Sequence, residues 1–513
     1  MISCLIQLSF CSLLLWSLGC GASQLSSRHP RADAFPRVGP EQSASDNKRF
    51  LSESLQMIEE GYSKYKDGSY KLWTIDMDRL IISHKFMSEI NKLPRSSVRL
   101  TTSERYAYTG MDICEESNLQ YEVCAGPLTR NIGPLGRTAY DEIVFALNEK
   151  LKTVPKYNGM LLSAILRPAI DRCYRLILNT PLHLPHRPRD QFHSSRFVGP
   201  DLCRNAEWLS TATGYTMDVQ KASEELLTYP SLVRPIVVNL LKSYKQLRSR
   251  FSVASRLLLP EFEKRNRAKN QNEKGEYQDM LQWLVDSAQG RDAEPEKLVR
   301  RMLFLNMAAI NTTAITATNV FLDLCARPEC MEMLREEILR GLKEDGGIKS
   351  STLPKLKKLD SFMRESRRLN TMGFLTFQRR LTVPFTLSNG TTLPKDSYLS
   401  MAYYPFTRDE SYYPSPLTFD PLRFYNLRQK EGEEDKHQFG SVEASEPLWT
   451  FGKFACPGRH WATAQIKLLV MVLLLEFEIS YPEGQTERPE NKIIGNKCMP
   501  SMTQKIVLKR RAS

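Results

Sequence analysis

The residues best placed to do chemistry in this chain lie in Trp449-Thr450-Phe451-Gly452-Lys453-Phe454-Ala455-Cys456-Pro457-Gly458-Arg459-His460-Trp461-Ala462, a loop with one cysteine that runs directly into a helical pattern. From there Ala462, Ile466, Leu469 and Leu473 recur at helical spacing. Pro457 suits the first helical turn, where a missing N–H is no loss. The spacing thus predicts Cys456 at a helix N-terminus, where unpaired N–H groups and the helix dipole favour thiolate over thiol. Gly452 allows a tight turn and the close approach of a flat ligand to the backbone. A thiolate held this way could be a nucleophile, one corner of a metal site, or an axial ligand to haem iron. His460 is four residues away, but no second Cys or His pair completes zinc spacing. The seven histidines are scattered without a partner motif for a nucleophile. By itself such a cysteine reads equally as a small buried hydrophobe.

Three further constellations precede this loop. A helix is predicted from Pro295 to Cys325, ended by Ala326-Arg327-Pro328, and at 1.5 Å per residue it would span about 45 Å. Its middle reads Ala308-Ala309-Ile310-Asn311-Thr312-Thr313. Small residues there let a planar group or substrate pack against the backbone. Thr312 could offer its hydroxyl to a bound oxygen species or to a water feeding protons, or the two threonines could bond carbonyls four residues back. The second constellation is Glu365-Ser366-Arg367-Arg368 in a helix over Leu359–Asn370, with Glu365 and Arg368 on one face. The third is Phe419-Asp420-Pro421-Leu422-Arg423-Phe424, whose Arg423 either docks on Glu365 to complete a buried charged triad or is solvated.

Other elements must carry these residues. Helical periodicity marks Arg49–Lys66, Ala139–Leu151, Gly159–Leu178 (interrupted at Pro168) and Trp208–Leu227. Tyr70–Ile75 and Arg79–Ile82 read as a hairpin, and Thr386–Met401 as a second one turning at Asn389-Gly390. Pro181–Pro188 is a loop whose His183 and His186, with His193 beyond, are too irregular for ligands. Glu263–Lys274 reads as an exposed helix end and loop. The fold class is mainly α, a helical body with a small β-rich subdomain.

Composition narrows the field. Hydrophobic content of 41% and charged content of 25% fit a globular protein with a large core. Eleven scattered cysteines argue for a reducing compartment rather than a disulfide framework. The net charge of +13 comes with no nucleic-acid reader motif, so a basic surface facing an acidic protein or anionic lipid is expected, and no nucleic acid. Met1–Ala22 is uncharged and apolar, followed by Arg28, Arg31 and Arg37, which predicts an N-terminal membrane anchor with the remainder cytosolic. Residues 23–45 read as a linker and 46–513 as one domain.

These four motifs, in this order, resemble the haem-thiolate monooxygenases of the cytochrome P-450 superfamily, from about residue 35 to the end. The resemblance implies haem b with Cys456 as axial ligand and Gly452 and Gly458 shaping its loop. It implies an oxygen-activation groove at Ala309–Thr313 with Thr312 relaying protons, and a structural triad of Glu365, Arg368 and Arg423. Thiolate donation would favour O–O cleavage. Electrons would come from an NADPH-dependent cytochrome reductase, since the chain has no flavin or nicotinamide fingerprint. The wording is similar to fungal secondary-metabolism members resembling ent-kaurene oxidases, on Phe304–Thr313, Arg196-Phe197-Val198-Gly199 and Lys453–Arg459. Insertion of oxygen from O2 into a C–H bond of an apolar metabolite, a terpenoid, is expected at the endoplasmic reticulum membrane; rearrangement, desaturation or ring formation is the alternative. Three departures stand out. Phe454 occupies a position usually held by Arg or His reaching a haem propionate, so Lys453 is expected to make that contact. Trp449 replaces a Phe. Asn311 stands where many members have an acid, which leaves Thr312 plus water as the relay.

Overall fold

The computed structural model describes residues 35–39, 44–75, 77–101, 106–152, 160–161, 205–230, 232–271, 279–444 and 446–511. The principal helices are α1 (Ala44–Tyr65), α2 (Ile132–Lys152), α3 (Ala206–Leu227), α4 (Lys242–Asn270), α5 (Pro295–Cys325), α6 (Lys357–Leu369) and α7 (Arg459–Glu476). α5 has the limits its sequence predicts. Pro295 fits the first turn, and the chain after Cys325 turns into a new helix at Pro328. The second half of α5, from Thr316 to Cys325, is buried all round, and α4, α6 and α7 pack against the helix. α7 is apolar from Leu468 to Leu474 and buried throughout that stretch, packed between α2 and α5. The helix that follows Cys456 is therefore fixed in the core.

The strands are β1 (Arg37–Val38), β2 (Ser69–Trp73), β3 (Asp78–Ile82), β4 (Val98–Arg99), β5 (Met160–Leu161), β6 (Leu375–Leu381), β7 (Phe385–Thr386), β8 (Thr392–Leu393), β9 (Tyr398–Ala402), β10 (Phe477–Ser480), β11 (Lys492–Ile494), β12 (Lys497–Met499) and β13 (Lys505–Arg510). The largest sheet has the order β1-β2-β3-β9-β6-β4. β2 and β3 form the expected hairpin, with Ser69 opposite Ile82 and Trp73 opposite Asp78. β1 lies inside the stretch read as a linker and pairs with Lys71–Leu72.

Several expectations are corrected. The turn at Asn389-Gly390 forms, with Gly390 at φ 83, but only β7 and β8 pair across it. Pro394 and Asp396, at φ 62, then turn the chain so that β9 joins β3 and β6 instead. At the start of the helix expected over Gly159–Leu178, Met160 and Leu161 are a strand paired with β13. The rest of that segment, His183, His186, His193 and Arg196–Gly199 lie outside the described residues. So do Met1–Ala22, the expected anchor; among the described residues no helix is long and apolar enough to cross a membrane. The charged run from Glu263 continues α4 to Asn270, and its Arg265 is buried and bidentate on Asp279 at 2.5 and 3.0 Å. Charge density in a sequence does not reveal a partner fourteen residues ahead.

Candidate active site

The cysteine loop closes on itself through the Cys456 N–H, which donates to the Trp449 carbonyl at 3.0 Å. Thr450 and Gly452, at φ 60 and 65, make the left-handed bends this needs. A Cβ on Gly452 would fall 2.0 Å from Asn91 Oδ1, and that oxygen accepts from the Lys453 N–H at 3.1 Å. Gly452 is thus required by its backbone angle and by Asn91, and it is not part of the cavity wall. Gly458 is: it borders the cavity, and a Cβ there would meet nothing within 4 Å.

The helix begins later than the sequence suggests. Its first residue is Arg459, with Gly458 at the cap position and Pro457 ahead of it. Cys456 still receives the helix-start N–H groups. Burial pushes its thiol up, while the N–H groups of Gly458 and Arg459 and the cations Arg367 and Arg459 pull it back. Burial prevails, so a full thiolate here needs a cation bound to the sulfur.

Cys456, Gly458, Ala309, Thr312, Tyr121 and Met372 are among the residues around a largely apolar cavity of about 190 Å³. Thr312 donates its hydroxyl to the Ala308 carbonyl at 2.8 Å, and its own carbonyl accepts from Thr316 Oγ1 at 2.9 Å. The hydroxyl proton is committed within the helix, so what Thr312 turns to the cavity is an oxygen with free lone pairs. Asn311 is half-buried and is not among the residues around the cavity.

Glu365, Arg368 and Arg423 form the triad. Arg368 is bidentate on Glu365 at 2.8 Å for both bonds, with both side chains fully buried. Arg423 Nε reaches the same carboxylate at 3.1 and 3.2 Å, and the Asp420 N–H adds a fourth donor at 3.0 Å. Arg423 Nη1 and Arg368 Nη1 also donate to the carbonyls of Pro414 and Pro416, each at 2.7 Å. The segment bearing Arg423 is thereby pinned to α6.

The Lys453 ammonium donates to the Leu93 carbonyl. The cations near Phe454 are Arg379, with its guanidinium carbon 4.5 Å from the ring centroid, and Arg95 at 4.9 Å. Arg379 is 2% exposed and bonds Thr450 Oγ1 and the Phe451 carbonyl, both at 3.2 Å. Among the described residues neither arginine has a carboxylate partner. Burial pushes Arg379 down to about 9, still cationic at pH 7. Tyr121, whose hydroxyl has no hydrogen bond among the described residues, borders the same cavity. Two guanidiniums bonded to neutral oxygens rather than to an acid, with the Tyr121 phenol, fit a planar cofactor that carries carboxylates. Sequence reasoning missed Arg379, although a signal existed: in β6 burial alternates, and Phe377, Arg379 and Leu381 share the inward face. A bulge between Thr376 and Arg379, with Phe377 at φ 54, aims the arginine there.

Known proteins are similar to this chain over most of its length. Residues 204–504 match the cytochrome P-450 family model. A cytochrome P-450 monooxygenase of Emericella nidulans is 33% identical over 470 residues, which is 90% of this chain and 84% of that one. An ent-kaurene oxidase of Gibberella intermedia is 30% identical over 473 residues, covering 90% and 85%. The retinoic acid-bound cyanobacterial CYP120A1 shares the fold at a TM-score of 0.66, with 17% identity and coverage of 93% and 99%. Fold and cavity together define a haem-thiolate oxidoreductase of the monooxygenase type. The chain belongs to the cytochrome P-450 family, whose cofactor is a haem iron with a thiolate ligand and whose members draw on O2 and a redox-partner reductase.

Proposed function

We propose that this protein inserts one oxygen atom of O2 into a C–H bond of an apolar secondary metabolite, a terpenoid, with Cys456 as the iron ligand of haem b. The observation that carries this reading is the single apolar cavity shared by Cys456, Ala309 and Thr312. Relatives named ent-kaurene oxidase support the terpenoid class.

Bound haem supplies the oxygen chemistry, strengthened by electron donation from the thiolate. The chain's residues do the rest. The N–H groups of Gly458 and Arg459 orient the sulfur. Arg379, Arg95 and Tyr121 would hold the cofactor's carboxylates. Thr312, its proton engaged by Ala308, accepts a hydrogen bond from a water or an oxygen-bound hydrogen in the cavity and so holds a proton source in place. Replacing it by Ala removes that acceptor; NADPH oxidation continues while product per NADPH falls several-fold, read by paired cofactor and product assays.

An NADPH-dependent reductase on the cytosolic face donates electrons, and the protein sits on the endoplasmic reticulum membrane with residues 46–513 as one catalytic domain. An apolar stripe supports attachment. Leu232, Ile236 and Leu240 are spaced four apart and 72%, 70% and 70% exposed, and Lys242 and Lys245 follow at once.

The test uses full-length protein, reductase and a terpenoid panel under ¹⁸O2. One labelled oxygen in the product is expected, together with a thiolate-type spectrum of the reduced carbon monoxide adduct that is lost in Cys456→Ser. An unlabelled product, or a spectrum unchanged by Cys456→Ser, overturns the proposal.

A further inference from the structure

Helix α6 buries Arg364, Arg367 and Arg368, none of them more than 8% exposed. Arg364 meets Glu443 at 3.0 Å and Glu446 at 2.5 Å, and Arg368 meets Glu365. Arg367 meets no carboxylate among the described residues. Its Nη2 donates to the Leu448 carbonyl at 3.0 Å, and its Nη1 is buried with no hydrogen-bond partner. Its guanidinium carbon lies 3.9 Å from the centroid of the Trp449 ring. Trp449 is itself fixed: its indole N–H donates to the Phe439 carbonyl at 2.5 Å, and its ring meets Phe439 edge-on at 5.4 Å. The Trp449 carbonyl accepts the N–H of Cys456, and Trp449 borders the cavity. Arg367 is therefore held on Leu448 and on Trp449, and it is the Trp449 carbonyl on which the cysteine's backbone rests.

We propose that Arg367 is a positioning residue for the iron's thiolate ligand: its charge, seated on Trp449, withdraws electron density from Cys456 and raises the potential at which the iron accepts its first electron. A buried cation without an acid is costly unless a negative charge within reach compensates it. Of the negative groups that face Arg367, Glu446 is already paired with Arg364, which leaves the thiolate of Cys456. Adding an electron to the iron makes the site more negative, so a nearby fixed cation favours the reduced state. The aromatic face of Trp449 keeps the guanidinium in place without neutralising it, which a carboxylate would do. Helical spacing singles out Glu365 and Arg368 in this motif; Arg367, one position before Arg368, faces the loop.

This inference rests on Cys456 as the iron ligand, and the experiment separates the two. Spectroelectrochemical titration of the haem-loaded full chain is run for wild type, Arg367→Lys and Arg367→Met, with the carbon monoxide adduct recorded for each. In Arg367→Met the ratio of reduced to oxidised iron at a fixed donor potential should fall about tenfold, a shift of ~59 mV to more negative values. The adduct band should move while haem content and helical circular dichroism stay at wild-type levels. Arg367→Lys, which keeps the charge, should recover most of the shift. If Arg367→Met fails to hold haem, Arg367→Gln against Arg367→Lys carries the same contrast. Equal potentials between a charged and a neutral variant overturn the proposal while leaving Cys456 in place; a wild-type adduct lacking the thiolate band overturns the underlying reading instead.

Discussion

Two regions of α6's surroundings bury arginines and treat them in opposite ways. Behind the helix, Arg368 and Arg423 converge on Glu365, and Arg364 on Glu443 and Glu446, so every guanidinium is answered by an acid of the chain itself. Beside the cysteine loop, Arg367 and Arg379 are buried just as deeply and answered only by carbonyls, a threonine hydroxyl and aromatic faces. Closed charge groups hold segments together and have no further capacity. Open ones keep their field for a partner that arrives later. The contrast separates residues that build the fold from those that await the cofactor.

The sharpest way to break it is Glu365→Ala, which leaves Arg368 buried and unanswered and Arg423 without its acid. Losing one partner of a buried ion group costs about 3–5 kcal/mol, so denaturant unfolding should show a severely destabilised protein whether or not haem is present. Arg379→Met should do the reverse. Stability without cofactor is expected to hold or rise, since an uncompensated buried charge is removed, while haem is lost to an acceptor protein about tenfold faster, in line with a charge-assisted hydrogen bond worth ~1.5–3 kcal/mol. A variant that unfolds with its haem retained would place Arg379 in the closed class. Asp409 gives the smallest effect. Burial alone would raise its carboxyl, but Lys66 at 2.8 Å, the Ser411 hydroxyl and N–H and the Tyr62 hydroxyl at 2.9 Å together hold it well below its usual 3.8. A carboxyl lowered in the folded state contributes stability above its unfolded value and loses it as pH falls through the folded one. Asp409→Asn should therefore lower Tm by a few degrees at pH 7, and the gap to wild type should close as pH drops below about 4.

The Glu365 group was legible in the sequence; Arg364 with its two acids and the open class were not. Glu365 and Arg368 share a helix face by spacing alone, and Arg423 sits in a recognisable apolar frame. The limits of α5 follow from Pro295 and from Ala326-Arg327-Pro328. Alternation along β6 puts Arg379 inward, but its aim at the loop depends on a bulge, where Phe377 takes a left-handed angle that its side chain disfavours. Lys453 has its backbone N–H on Asn91 and its ammonium on the Leu93 carbonyl, contacts with residues some 360 positions earlier that no local motif shows. Pro457 suggested a helix that starts two residues later, because Gly458 rather than the cysteine takes the cap position. Residue type names a capability, and only the fold decides where it is directed.

The seat of the cysteine loop on Asn91, Leu93 and Arg95 bears on how the protein can be subdivided. A recombinant piece limited to residues 204–504 would contain Cys456, Thr312 and the whole Glu365 group, yet the bends at Gly452 and Lys453 would face solvent where their neighbour used to be. Truncation libraries and split-protein reporters built on this enzyme therefore need a cut point upstream of residue 91, or the two halves supplied together.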